Sequence, residues 1–156
     1  MPTVNAIPAN YPRVSPYLAI DGAAAAIDFY REVLGASQRG DVMRMPDGRI
    51  GHAELELGGS VIMLADTFPE MGAKSPRDLG GSPVTMLVYV EDVDDVFARA
   101  VKAGATEIAP LVDQFYGDRT GQFEDPWGHR WNVASHIEDV PPEEMERRAA
   151  AAMAGG

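Results

Sequence analysis

The chain has 156 residues, 46% of them hydrophobic, which suits one compact domain or two small modules and argues against disorder. Its formal net charge of −11 argues against a phosphate-backbone partner and disfavours anionic membranes, so no nucleic-acid and no membrane partner is expected. With no cysteine, there are no disulfides, thiolate metal sites or thiol nucleophiles.

Residues 1–13 read as an N-terminal arm. Met1 to Asn10 lacks the charged start and apolar stretch of a signal peptide, and no apolar run is long enough to span a bilayer, so a cytoplasmic location is expected. A first module covers 14–66. It opens with a strand near 15–20, followed by a helix whose Ile27, Tyr30, Val33 and Leu34 have the spacing of one buried face. The helix stops at Gly35-Ala36, and strands follow near 37–45, 50–57 and 60–65. The stretch 67–83, rich in Pro, Gly and Ser, reads as a linker. A second module covers 84–137, with strands near 84–90, 106–113, 120–124 and 129–135. Its helix carries Val93, Val96, Phe97, Ala100 and Val101 on the buried face, with Asp92 as N-cap and Gly104-Ala105 as the stop. Residues 138–156 read as a C-terminal helix from Pro142 and a tail, with glutamates first and arginines later as the helix dipole prefers.

The two modules look like a duplication. Ser15 to Asp21 aligns with Thr85 to Glu91 at an offset of 85 − 15 = 70. Gly51-His52-Ala53-Glu54-Leu55 aligns with Gly121-Gln122-Phe123-Glu124-Asp125 at the same offset, since 121 − 51 = 70. Setting Ser60 on Arg130 extends the match. These alignments pair Ser15 with Thr85 and Glu54 with Glu124.

Ile27-Asp28-Phe29-Tyr30, followed by Val33-Leu34-Gly35, resembles the first-module signature of the vicinal-oxygen-chelate superfamily, the glyoxalase/bleomycin-resistance/dioxygenase fold. Glu124-Asp125-Pro126-Trp127-Gly128-His129 resembles its second-module turn. His52-Ala53-Glu54-Leu55 and Tyr116-Gly117-Asp118-Arg119 are similar to the PhnB-like subgroup. The resemblance implies an α+β fold: two βαβββ modules forming a curved mixed sheet around a cavity, here with a C-terminal helix. It also implies a homodimer, to which the arm around Tyr11-Pro12 and the C-terminal helix would add contact.

Enzymes of this superfamily hold a divalent metal with one donor from each of four strand positions, and the metal chelates vicinal substrate oxygens. The resemblance carries those positions onto Ser15, Glu54, Thr85 and Asn132, of which only Glu54 is a good ligand. No metal site of the usual kind is therefore expected, with Glu54 and His52 as weak candidates for another.

Strand alternation places His52, Glu54 and Glu56 on one face and Ala53, Leu55 and Leu57 on the other, against the helices. The expected ligand-binding residues are Tyr17, His52, Glu54, Thr85, Tyr89, Tyr116, Arg130 and Asn132, an aromatic pocket with few polar groups. The plain alternative for Glu54 and Glu124 is solvation or pairing with an arginine such as Arg130. Trp131 should be core, His129 structural and His136 exposed, while Met43, Met45, Met63 and Met86 should fill gaps in the core.

Three functions follow from the resemblance. The first is a small-molecule-binding, bleomycin-resistance-like protein with no cofactor. The second is a lyase, isomerase or dioxygenase that needs a divalent metal. The third is a scaffold with a vestigial pocket. No catalytic residue is assigned.

Overall fold

The computed structural model describes residues 3–155; Met1, Pro2 and Gly156, the ends of the expected arm and tail, lie outside them. The chain divides into two compact units, Met1–Gly81 and Ser82–Gly156.

Unit one contains β1 (Tyr17–Ile20), α1 (Ala23–Leu34), β2 (Ser37–Arg44), β3 (Ile50–Leu57) and β4 (Ser60–Asp66). Its sheet runs β1-β4-β3-β2, with β1 parallel to β4 and the other pairs antiparallel. Ser15, expected in the first strand, precedes it. The expected linker is partly structured, with a 3₁₀ turn at Pro69–Met71 and a short helix α2 (Pro76–Leu79) capped by Ser75. Unit two repeats the plan with β5 (Thr85–Tyr89), α3 (Val93–Lys102), β6 (Thr106–Asp113), β7 (Asp118–Glu124) and β8 (Arg130–His136), in the order β5-β8-β7-β6. The helix α4 (Pro142–Ala154) follows, with no buried residue. Each unit is thus a βαβββ module with a four-stranded mixed sheet. Among the described residues no helix is long and apolar enough to cross a membrane.

One face of each sheet is closed by its helix. Ile27, Tyr30, Val33 and Leu34 of α1 are buried, as are Ala53, Leu55 and Leu64 beneath them. In unit two Val93, Val96, Phe97 and Ala100 are buried with Phe123, Trp131 and Val133. Val101 departs from expectation at 44% exposure, because it lies one residue, about 100° of helical turn, past Ala100 and off the buried stripe. Met43 and Met45 are also exposed rather than core. They lie on or just beyond the edge strand β2, and their tips close over Gly51, where a Cβ would meet Met43 Cε and Met45 Sδ at 2.9 Å.

The helix starts fix the true register of the duplication. The Ala23 amide donates to Asp66 Oδ1 at 2.9 Å, and the Val93 amide donates to Ser135 Oγ at 3.1 Å. The offset is 93 − 23 = 70 at the helices but 135 − 66 = 69 in the last strands. Leu64 pairs with Ala53 and Val133 with Gly121, so in β3 and β7 the offset is 121 − 53 = 68. Glu54 therefore corresponds to Gln122, Glu56 to Glu124, Leu55 to Phe123 and Val61 to Arg130. The pairings of Glu54 with Glu124, Gly51 with Gly121 and Ser60 with Arg130 are corrected accordingly. Unequal turns cause the slip. The β3–β4 hairpin needs only Gly58 and Gly59 between paired Leu57 and Ser60, whereas Asp125 to His129 separate paired Glu124 and Arg130.

That longer turn is locked from within. Asp125 is buried, and Oδ1 accepts from the Trp127 and His129 amides at 3.0 Å each while Oδ2 accepts from Trp131 Nε1 at 3.0 Å. His129 is buried in this turn and Trp131 is core, both as expected.

Candidate functional site

The helix-free face of each sheet carries the polar chemistry. In unit one, pairing with β2 and β4 places Glu54 between Arg39 and Met63, and Met63 also pairs with Tyr17. His52 lies two residues along the same strand, so it shares that face.

The result is a continuous network. Tyr17 Oη lies 2.8 Å from His52 Nδ1, and His52 Nε2 lies 2.8 Å from Glu54 Oε2. Tyr11 reaches back from the arm and donates its hydroxyl to Glu54 Oε1 at 2.9 Å. Arg39 Nε stands 3.9 Å from Glu54 Oε1, its guanidinium lies over the Tyr11 ring at 4.6 Å, and Nη2 donates to the Asn10 carbonyl at 2.9 Å. An ionised carboxylate only accepts, so His52 Nε2 carries the proton of its bond to Glu54, and the Tyr17 hydroxyl at the ring's other nitrogen also lies 3.4 Å from the Gly51 carbonyl. The His52 hydrogen bond, followed by those from Tyr11 and the nearby charges, holds the Glu54 carboxyl below its ordinary range against the opposing effect of burial. Burial, and then the Glu54 charge, push the Tyr17 phenol up.

In unit two, the register pairs Thr85 with Arg130, Leu87 with Asn132 and Tyr89 with Ala134. On the other side of β8, Gln122 pairs with Asn132 and Asp118 with His136. All of these side chains share the face away from α3. Asp118 is buried and central: Oδ2 accepts from the Tyr89 hydroxyl at 2.7 Å, and Oδ1 lies 2.8 Å from His136 Nδ1. His136 Nε2 lies 2.7 Å from Asp139 Oδ1. Both ring nitrogens thus face carboxylates, the environment of an imidazolium. The hydrogen bonds to Asp118 and then Asp139 raise the His136 pKa accordingly. For Asp118 the largest single influence is burial, which raises its pKa, but the His136 and Tyr89 hydrogen bonds and the His136 charge together bring it below the ordinary carboxylate value.

The expected site residues therefore fall into two groups. Tyr17, His52 and Glu54 meet in unit one. Thr85, Tyr89, Arg130 and Asn132 share one face of unit two, and Tyr116 lies in the loop before β7, edge-on to Phe115 with ring centres 5.4 Å apart. Arg130 Nε stands 4.0 Å from Glu124 Oε2, the arginine pairing expected for that glutamate, while Glu54 takes Arg39 instead. Sequence reasoning missed Tyr11, Arg39 and Asp118 as members of these networks; His136 is exposed, as expected, and belongs to one of them as well. Alternation along β7 could have found Asp118, which shares parity with Gln122. Nothing local in the sequence announces that the arm folds back onto Glu54.

The resident divalent metal implied for the fold does not fit these residues. Three of the four donor positions are Ser15, Thr85 and Asn132, all weak neutral donors. Both oxygens of the fourth, Glu54, are already engaged by Tyr11 and His52. Among the described residues no three His, Asp or Glu side chains are gathered as a ligand set.

Comparison with known proteins agrees with the architecture. The model of the Glyoxalase/Bleomycin resistance protein/Dioxygenase superfamily matches residues 13–133. An uncharacterized protein of Mycobacterium tuberculosis is 45% identical over 138 residues, covering 86% of this chain and 81% of its own. The crystal structure of TioX from Micromonospora superposes with a TM-score of 0.59 at 28% identity, covering 83% of this chain and 100% of that one. A PhnB protein from Bacillus cereus superposes with a TM-score of 0.63 at 19% identity over 80% of this chain and 99% of its own, a likeness of fold alone.

Proposed function

Because the chain belongs to the glyoxalase/bleomycin resistance protein/dioxygenase superfamily, we propose that it binds a small organic molecule on the helix-free faces of its sheets, without a resident divalent metal. The observation that carries this reading is the state of Glu54. The one strong donor among the four family positions is occupied by Tyr11, His52 and Arg39 of its own unit. A metal would have to displace a hydrogen-bonded network to gain one carboxylate, with only neutral oxygens at the other three family positions. Tyr17 and Tyr89, more than half exposed on those faces, supply aromatic surface of the kind that small-molecule sites use. The Tyr116-Gly117-Asp118-Arg119 run supports the finer PhnB-like reading, and a homodimer is the assembly that goes with it.

Elemental analysis of purified protein tests the metal half: less than about 0.1 equivalent of Zn, Ni, Mn or Fe per chain is expected, by the donor argument. About one equivalent, lost in Glu54→Ala, would establish the metal-dependent alternative. A thermal-shift screen against a library of small organic molecules tests the binding half, and no hit at millimolar concentration would leave the scaffold reading. Light scattering at micromolar concentration tests the dimer, with a monomer mass counting against it.

A further inference from the structure

Gln122 and Asn132 face one another across β7 and β8 on the helix-free side of unit two. Among the described residues neither side chain forms a hydrogen bond, and Asn132 Oδ1 is closed off from solvent with no partner. Buried acceptors in folded proteins are nearly always paired with protein, water or a bound molecule, because leaving one unpaired is costly. Apart from the two carboxamides themselves, the residues that strand pairing sets beside them on this face are apolar. Leu87 pairs with Asn132 from the other side and Ala109 pairs with Gln122, both apolar. The nearest charges on the face, Glu124 and Arg130, stand opposite one another at 4.0 Å. Leu87 itself is 54% exposed, so the apolar border of the amide pair is open.

A carboxamide offers a donor and an acceptor at fixed separation, and two neighbouring carboxamides offer both to a single planar edge. We propose that this face of unit two binds a neutral planar molecule through a lactam or imide edge, an N–H beside a C=O. The ligand N–H donates to Asn132 Oδ1, and its carbonyl accepts from Gln122 Nε2. Leu87 shifts to admit it and packs on its ring. The proposal rests on the small-molecule reading above and adds the chemical class of the ligand. Opposed charge is not required, since Glu124 and Arg130 already answer one another.

The test uses the full chain, labelled with nitrogen-15, and two probes: 2-quinolone, which has the lactam N–H, and N-methyl-2-quinolone, which lacks it. The expected result is that 2-quinolone moves the side-chain amide resonances of Gln122 and Asn132. The methylated probe should bind about tenfold more weakly, the worth of one satisfied buried hydrogen bond. Asn132→Leu, similar in size and without the orphaned oxygen, should lose that affinity while melting at a higher temperature. Should that variant fail to fold, Gln122→Met removes the donor to the ligand carbonyl and should weaken 2-quinolone binding about tenfold while keeping the discrimination against the methylated probe. Equal affinity for the two probes, or binding that leaves both amides unmoved, overturns the proposal. Library hits that bind without moving those amides would preserve small-molecule binding and sink only the lactam edge.

Discussion

The two units share a scaffold and differ in what they hang on it. In unit one the histidine is the middle of the chain of contacts: Tyr17 meets His52, and His52 meets Glu54. In unit two the carboxylate is the middle: Tyr89 meets Asp118, and Asp118 meets His136. The helix caps diverged in the same way, with Asp66 serving α1 where Ser135 serves α3. The duplicated βαβββ plan needs an apolar face, a helix start and a hairpin. It does not dictate the polar face, which is free to change once the core is set.

The comparison would break first at the core. Leu55 and Phe123 are corresponding residues under the corrected register, and both are fully buried. Leu55→Ala should cost about 2–5 kcal/mol and Phe123→Ala about 3–5 kcal/mol, measured by chemical denaturation. If either substitution changes stability by under about 0.5 kcal/mol, the figure for an ordinary surface position, the register that equates them fails.

The caps should give the next largest effect, and an unequal one. Asp66 accepts from the Gly22 and Ala23 amides and, at 2.6 Å, from the Ile50 amide, so one side chain ties the helix start to β3. Ser135 accepts only from Val93 and donates to the Val90 carbonyl at 2.6 Å. Asp66→Ala should cost about 2–4 kcal/mol, as hydrogen bonds to a charged group do when several are lost together. Ser135→Ala should cost about 1–2 kcal/mol, the usual range for a helix cap. Equal losses would mean that the third bond to Ile50 adds nothing.

The pH dependence of unit two is sharper evidence about its network. The His136 pKa is raised in the fold, so its contribution is complete below the unfolded histidine value of about 6.5 and fades as pH rises through the folded value. Asp118 behaves oppositely: its pKa is lowered, so its contribution is complete above the unfolded aspartate value of about 3.9 and fades as pH falls through the folded one. Stability from this network should therefore be greatest between those two unfolded values. His136→Gln should remove the fall on the alkaline side, read from melting temperatures between about pH 5 and 9, around the histidine range. An unchanged alkaline slope would show that His136 is not held by the two aspartates.

The repeat, the alternating strands and the helix faces were legible because each is a periodic pattern tied to burial. Leu55 opposite Glu54 is a two-residue argument, and it holds. The register of the duplication was not legible, since the sequence match at Gly51 and Gly121 is strong, while the slip depends on hairpin closure at Gly58-Gly59 against Asp125–His129. The networks were legible only in part. Tyr17, His52 and Glu54 share parity on neighbouring strands, but Tyr11 and Arg39 join them through tertiary contacts that no local pattern encodes. Asp139 joins His136 from beyond the last strand for the same reason.

The smallest expected effects concern the two ends of the chain, which are attached by different means. The arm is tied to unit one by Tyr11 on Glu54 and by Arg39, which combines a ring contact with a hydrogen bond to the Asn10 carbonyl. The helix α4 buries no residue, and Arg148 ties it to unit two by reaching Glu138 Oε1 at 2.8 Å and the Phe115 carbonyl at 3.2 Å. Exposed ion pairs are screened by salt, whereas a phenol-carboxylate bond beside a stacked guanidinium is screened less. Raising sodium chloride from about 0.05 to 1 M shortens the Debye length to about 3 Å and should loosen α4 before the arm. Amide exchange read by mass spectrometry should then quicken across 142–154 and stay nearly constant across 8–12. Arg148→Ala should bring the helix to its high-salt exchange rate even at low salt, and Tyr11→Phe should quicken the arm at any salt. If salt leaves α4 unchanged while Arg148→Ala loosens it, the Phe115 carbonyl bond and the packing of the Arg148 stem hold the helix, and the ion pair to Glu138 contributes nothing.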